Sequence, residues 1–152
     1  MSGSTDMTRT WLALLRTSNT IKKSLDQQFR THYGISISRF DVLAILQRGN
    51  RNGLRAGDLS RQLIVSDGNT TQIVSKLVRD GFVLRRTDPK DARAVIFSLS
   101  DEGASLFTKM AISHREWLKE AFGEISKSES QALYQLLQSL PPQNQNSKED
   151  AA

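Results

Sequence analysis

Between Leu54 and Leu99, two short helical patterns and a turn run straight into a hairpin pattern, and this order constrains the chain more than any other feature. The first helical pattern covers residues 55–63, with Leu59 and Leu63 on one face. The second covers residues 66–80 and is closed by Gly81. It pairs Ile73 with Leu77 and Val74 with Val78. Residues 82–87 and 94–99 read as alternating strands around the tip Asp88-Pro89-Lys90-Asp91-Ala92-Arg93, which is rich in turn-forming residues. Leu54 is placed as a very short strand that joins the hairpin sheet. A polar-faced helix followed by a basic hairpin can enter one DNA groove and touch the next.

The charge is concentrated in the same window. The chain has 152 residues and a formal net charge of +5. Between Arg51 and Leu99 nine Lys/Arg face five acids, so almost all of that excess lies on the suspected reading unit. This favours an anionic partner, against the plainer reading of a merely solvated face. There is no cysteine, which excludes disulfides, thiolate metal sites and cysteine redox sensing. Met1 to Thr8 is polar and lacks an apolar signal core, and no apolar run approaches the roughly 20 residues that span a bilayer. These features predict a cytoplasmic protein with no membrane partner.

Helical patterns flank the reading unit on both sides. Trp11, Leu14, Leu15, Ser18, Ile21, Leu25 and Phe29 predict a helix over 8–33, ended by Gly34. Ser38 with Asp41 looks like a capping box for a helix carrying Phe40, Val42, Leu43, Ile45 and Leu46 up to Gly49. Ser100 is placed as the cap of a long helix striped by Leu106, Phe107, Met110, His114, Trp117, Leu118, Ala121 and Phe122. Ser126 with Glu129 marks a further cap, ahead of Leu133, Leu136, Leu137 and Leu140. Pro141 and Pro142 stop that helix, and residues 141–152 are expected to be a disordered tail. The fold class is therefore mainly α (α+β): a winged helix-turn-helix over about 36–100, inside one domain over 8–140.

On the second central helix, Thr71, Gln72, Ser75, Lys76 and Arg79 point outward, with Ser66, Gly68 and Asn69 at its N-terminal end. Gln and Asn pair with adenine, Thr meets the thymine methyl, and Lys reaches guanine or phosphate. An ordinary polar helix surface accounts for the same residues until the hairpin is counted. There, Arg86, Lys90 and Arg93 are placed along a phosphate backbone or, for Arg93, in a narrow minor groove. Asp91 is placed to orient Arg93, since a carboxylate repels phosphate. Asp88 is assigned to turn formation.

At this point the chain resembles the MarR (multiple antibiotic resistance regulator) family of winged helix-turn-helix transcription factors. The matching segments are Leu59-Ser60-Arg61-Gln62-Leu63, residues 66–83, Arg86 to Ala94 with its Asp91-Ala92-Arg93 tip, and Leu99-Ser100-Asp101-Glu102-Gly103. The similarity runs from roughly Trp11 to Leu140. It implies a homodimer built through helices about 8–33 and 101–140. It further implies a pseudo-palindromic double-stranded DNA operator, and a repressor released by a small aromatic or anionic effector. Thr71, Gln72, Ser75 and Lys76 fall on the family's recognition face, and Arg93 falls on its wing arginine. Gln72 departs from the arginine the family often places there, and the lack of cysteine argues against its peroxide-sensing branch.

Other chemistries find no support in the sequence. His32 and His114 have no metal-ligand spacing, so no metal is expected. There is no nucleophile elbow and no phosphate loop, so neither an enzyme nor a cofactor is expected. Trp11, Arg16 and His32 are candidates for an effector pocket where the outer helices meet the DNA-binding unit, with surface salt bridges as the plainer reading of the charged ones. The alternative function is a winged-helix module for protein–protein assembly, whose basic patch meets an acidic partner.

Overall fold

A computed structural model describes residues 2–49, 52–63 and 69–141. Among these the chain forms α1 (Ser2–Tyr33), α2 (Ile37–Arg48), β1 (Leu54–Arg55), α3 (Ala56–Gln62), α4 (Thr70–Arg79), β2 (Val83–Asp88), β3 (Asp91–Leu99), α5 (Asp101–Phe122) and α6 (Lys127–Ser139). Packing separates two units, Met1–Leu118 and Lys119–Ala152. Six helices and a small antiparallel sheet are the winged-helix arrangement expected from the sequence.

In the first unit the core is built from α1 to α5. Phe29, Val42, Leu43, Leu59, Leu77 and Met110 have essentially no exposed surface. An aromatic group lies across three helices. Phe29 stacks on Phe40 at 4.6 Å and on His114 at 5.8 Å, and meets Trp117 edge-on at 5.1 Å. Tyr33 shares a 2.6 Å hydrogen bond with Ser113. The outer helix α1 is thereby fastened to α5 at the end nearest the reading unit. Its other end leaves Met7 and Trp11 largely exposed.

Three helix starts differ from the sequence expectation: α4 begins at Thr70, after Asn69, rather than at residue 66, and the starts of α1 and α2 differ as well. The start of α1 is Ser2 rather than Thr8; residues 2–7 carry only Met7 as an apolar residue and so give no apolar period from which the earlier start can be read. The cap of α2 is Ser36, not Ser38. The Ser36 hydroxyl accepts the Arg39 N–H, and the Asp26 carboxylate on α1 accepts the Ile37 N–H at 2.9 Å. Ile35 and Phe40, both in the core, occupy the positions of a hydrophobic staple around this cap. The pull of Ile35 into the core and the long-range bond from Asp26 decide the cap, and neither is visible in a local motif.

The sheet order is β1-β3-β2, with Leu54 opposite Phe97 and Arg85 opposite Phe97 from the other side. The strands run further than expected, so the wing turn is only Pro89 and Lys90, and Asp91, Ala92 and Arg93 belong to β3. Gly53 precedes β1 with φ +85°, and a Cβ there would lie 2.3 Å from the Phe97 carbonyl oxygen.

The Leu99-Ser100-Asp101-Glu102-Gly103 segment acquires a physical meaning. The Ser100 hydroxyl donates to the Gly81 carbonyl at 2.6 Å and accepts the Gly103 N–H at 3.0 Å. The Ser100 N–H donates to the Phe82 carbonyl, against which Gly103 leaves no room for a Cβ. The end of α4 and the start of α5 are thus locked together. In the second unit, α6 carries the expected Ser126–Glu129 capping box. It leaves Tyr134, Leu136 and Leu140 more than half exposed. The predicted tail from 142 onward lies outside the described residues. No described helix is long and apolar enough to cross a membrane.

Candidate nucleic-acid interface

The two faces of α4 separate as the spacing requires. Val74 and Leu77 are buried, and Ile73 and Val78 half-buried, whereas Thr71, Gln72, Ser75, Lys76 and Arg79 are all exposed. At 100° per residue these five form one continuous row along the helix. Asn69 precedes the first turn, is exposed, and makes no side-chain capping bond. Ser66 and Gly68, expected at the same end, lie outside the described residues.

A hollow flanks the row on each side. Thr71 and Ser75 border one, together with Ser60 of α3 and Arg85 of β2. Gln72 and Lys76 border the other, together with Arg30 of α1 and Ser36, Ser38 and Arg39 of α2. The row therefore stands as a ridge between two recesses, each with arginine at its edge. Neither Arg39 nor Arg85 carries a signal in the sequence that marks it for this place. Arg39 faces this recess only because α2 packs beside α4, a contact between segments distant in the sequence.

The wing projects cations beyond this ridge. Arg93 is 97% exposed in its side chain. The Asp91 carboxylate accepts the Arg93 N–H at 3.0 Å and stands 3.9 Å from its guanidinium. Asp91 thus orients the segment that carries Arg93. Lys90 lies exposed in the two-residue turn. Arg86 is exposed but already donates to the Asn52 carbonyl, so it ties β2 to the loop before β1.

Asp88 does more than form the turn. One carboxylate oxygen accepts the Lys90 N–H at 2.9 Å, and the other accepts two N–H groups of Arg55 at 2.6 and 3.0 Å. The Lys90 N–H, and after it the Arg55 guanidinium, hold the Asp88 carboxyl below the usual carboxylate range. No short-range motif could reveal Arg55 as the partner, since it sits on β1 and meets Asp88 only once the sheet forms.

The three effector candidates are not brought together. Trp11, Arg16 and His32 lie on one continuous helix, with Trp11 and His32 roughly 30 Å apart at 1.5 Å per residue. His32 sits instead beside Trp117, ring centres 5.3 Å apart, and bonds to the Gln28 carbonyl. Among the described residues no group of His, Asp or Glu is gathered to hold a metal.

Comparison with known proteins gives a consistent picture. The family model described as "MarR family" matches residues 35–95, from the α2 cap to the wing. An uncharacterized HTH-type transcriptional regulator, YkoM of Bacillus subtilis (strain 168), is 38% identical over 106 residues, covering 69% of this chain and 67% of that protein. The solved structure of a MarR family transcriptional regulator from Silicibacter pomeroyi superposes with TM-score 0.77 at 30% identity, over 93% of this chain and 99% of that one. Sco3205 of Streptomyces coelicolor, a MarR family regulator solved in complex with DNA, shares the fold with TM-score 0.78 at 21% identity, over 88% of this chain and 84% of that one.

Proposed function

Since the chain belongs to the MarR family, we propose that it is a homodimeric transcriptional regulator that reads double-stranded DNA with α4 and grips the backbone with its wing. The observation that carries this reading is the exposed row Thr71, Gln72, Ser75, Lys76 and Arg79, raised between two recesses and followed by an almost fully exposed Arg93. Short hydrogen-bonding side chains on a ridge suit base edges in the major groove, and an exposed guanidinium on a hairpin suits the phosphates or the minor groove beyond. A protein with the same fold, Sco3205, is solved in complex with DNA, which supports DNA as the partner.

Two copies are required to read two half-sites about 34 Å apart. Exposed Met7, Trp11, Leu12 and Leu15 on α1, and Leu133, Leu136, Leu137 and Leu140 on α6, supply apolar rows for a second copy to cover. The sense of regulation is repression, relieved by a small aromatic or anionic molecule. That part draws on the family resemblance, and His32 beside Trp117 puts a hydrogen-bonding ring next to a stacking surface.

The test is a titration of mixed-sequence duplex DNA with the full chain at several salt concentrations. Retardation that weakens steeply with salt is expected. Failure to bind duplex at low salt would instead favour a protein–protein module.

A further inference from the structure

We infer that Arg39, with Lys76 and Ser38, seats a backbone phosphate on the flank of α4 away from the wing, so that the duplex is held on both walls of the groove α4 enters. The inference rests on the DNA-binding reading and adds a second phosphate seat to it. It begins from how α4 stands between its two recesses. On a helical wheel, Thr71 and Ser75 turn toward the sheet, while Gln72 and Lys76 turn toward α2. A helix lying in a major groove about 12 Å wide has a phosphate chain on each side. Arg85 and the wing serve one side. The α2 recess is the feature that faces the other.

The composition of that recess is suited to an anion and to little else. Arg30, Arg39 and Lys76 come to it from three different helices, and none of the residues around it is acidic. Arg30 is already paired with Asp26 at 2.8 Å. Arg39 and Lys76 have no acidic partner among the described residues, and the Ser38 hydroxyl has no hydrogen-bond partner there. Two cations and a hydroxyl donor are therefore uncommitted around one hollow, next to the base-reading Gln72. Two amides at the start of α2 are committed, the Ile37 N–H to Asp26 and the Arg39 N–H to Ser36, so the side chains of Arg39, Lys76 and Ser38 carry most of the hold on the phosphate.

Because a phosphate carries no base identity, the seat fixes register rather than sequence. Its loss should weaken all duplexes by the same factor. The experiment titrates the full chain with a mixed-sequence duplex across a salt series, for wild type, Arg39→Ala, Arg39→Lys and Ser38→Asp. Arg39→Ala should lower the slope of log affinity against log salt by about 0.9, the value for one phosphate contact, and Arg39→Lys should restore it. Ser38→Asp keeps Arg39 in place and puts a carboxylate in the first turn of α2. That placement favours the helix, so its thermal stability should hold or rise while DNA affinity falls. A wild-type slope that is steep and unchanged in Arg39→Ala overturns this proposal and leaves the DNA-binding reading intact, as does Ser38→Asp binding at wild-type strength. Absence of salt-dependent duplex binding by the wild-type chain overturns both.

Discussion

Arg55 closes the wing by holding Asp88: two of its N–H groups converge on one carboxylate oxygen, while the Lys90 N–H holds the other. A residue from the first strand therefore sets the hairpin whose far side carries Arg93. The pair ties the wing to the start of α3, so the angle at which Arg93 projects is fixed by chemistry 33 residues upstream.

Asp88→Asn keeps an acceptor for Lys90 and removes the charge that Arg55 grips. We expect a fall of a few degrees in thermal midpoint and weaker binding to every duplex alike, since the wing is misaimed while the base-reading row on α4 stays intact. The ionic grip has a pH signature as well. With its folded pKa lowered from 3.8, the Asp88 contribution is present above that value and lost as the pH falls through the folded pKa. Asn at this position should flatten the acid limb of the stability profile, and a profile identical to wild type would remove the pair from the account.

Arg93 and Arg86 should behave differently although both are exposed wing arginines. Arg93→Ala should reduce the salt slope by about one phosphate contact. Arg86→Ala should change the slope less, because its guanidinium is engaged by the Asn52 carbonyl. Salt titrations of the two variants on one duplex check the ranking. Equal slopes for both would contradict it.

Asp41, read from the sequence as part of a cap, has one carboxylate oxygen buried with no hydrogen-bond partner. Burial pushes its carboxyl up to about 6 against the pull of Lys22 and Arg48. A raised folded pKa means stability is fully present below the unfolded value of 3.8 and is lost as pH rises through about 6. Asp41→Asn should therefore match wild type near pH 4 and exceed it at pH 7. After allowance for the exposed part of the group, the gain is roughly 1–2 kcal/mol. Denaturant titrations at the two pH values measure it, and a constant difference between the proteins would contradict the sign.

Most of the reading unit is legible in the sequence because its signals are local. The pairs Ile73–Leu77 and Val74–Val78 fix which side of α4 is buried, and the polar row follows from them. The Ser126–Glu129 box and the Ser100 cap also lie within a few residues of their partners. The rest depends on contacts between distant segments. Asp26 captures the α2 terminus from α1, Arg55 meets Asp88 across the sheet, and Arg39 faces Lys76 only because α2 and α4 pack together. The three effector candidates fail to converge for the opposite reason: one unbroken helix keeps them apart.

The exposed leucines of α6 give a direct test of assembly. Leu136 is 67% exposed in the single chain, so Leu136→Lys should leave subunit stability within about 0.5 kcal/mol. In a dimer sealed by this face, the same change should yield monomers by sedimentation and a large loss of DNA affinity. A variant that stays dimeric would remove α6 from the interface.

The central claim is base reading by a pair of α4 helices, and selection of bound sequences from a random duplex pool tests it most directly. The wild-type chain should enrich a palindromic consensus whose half-sites lie one helical turn apart. Gln72→Ala should relax one base position in each half-site, at a cost of roughly 1–3 kcal/mol on the selected site and much less on random DNA. A pool that returns without any enriched symmetric sequence, or a Gln72→Ala consensus identical to wild type, would contradict it.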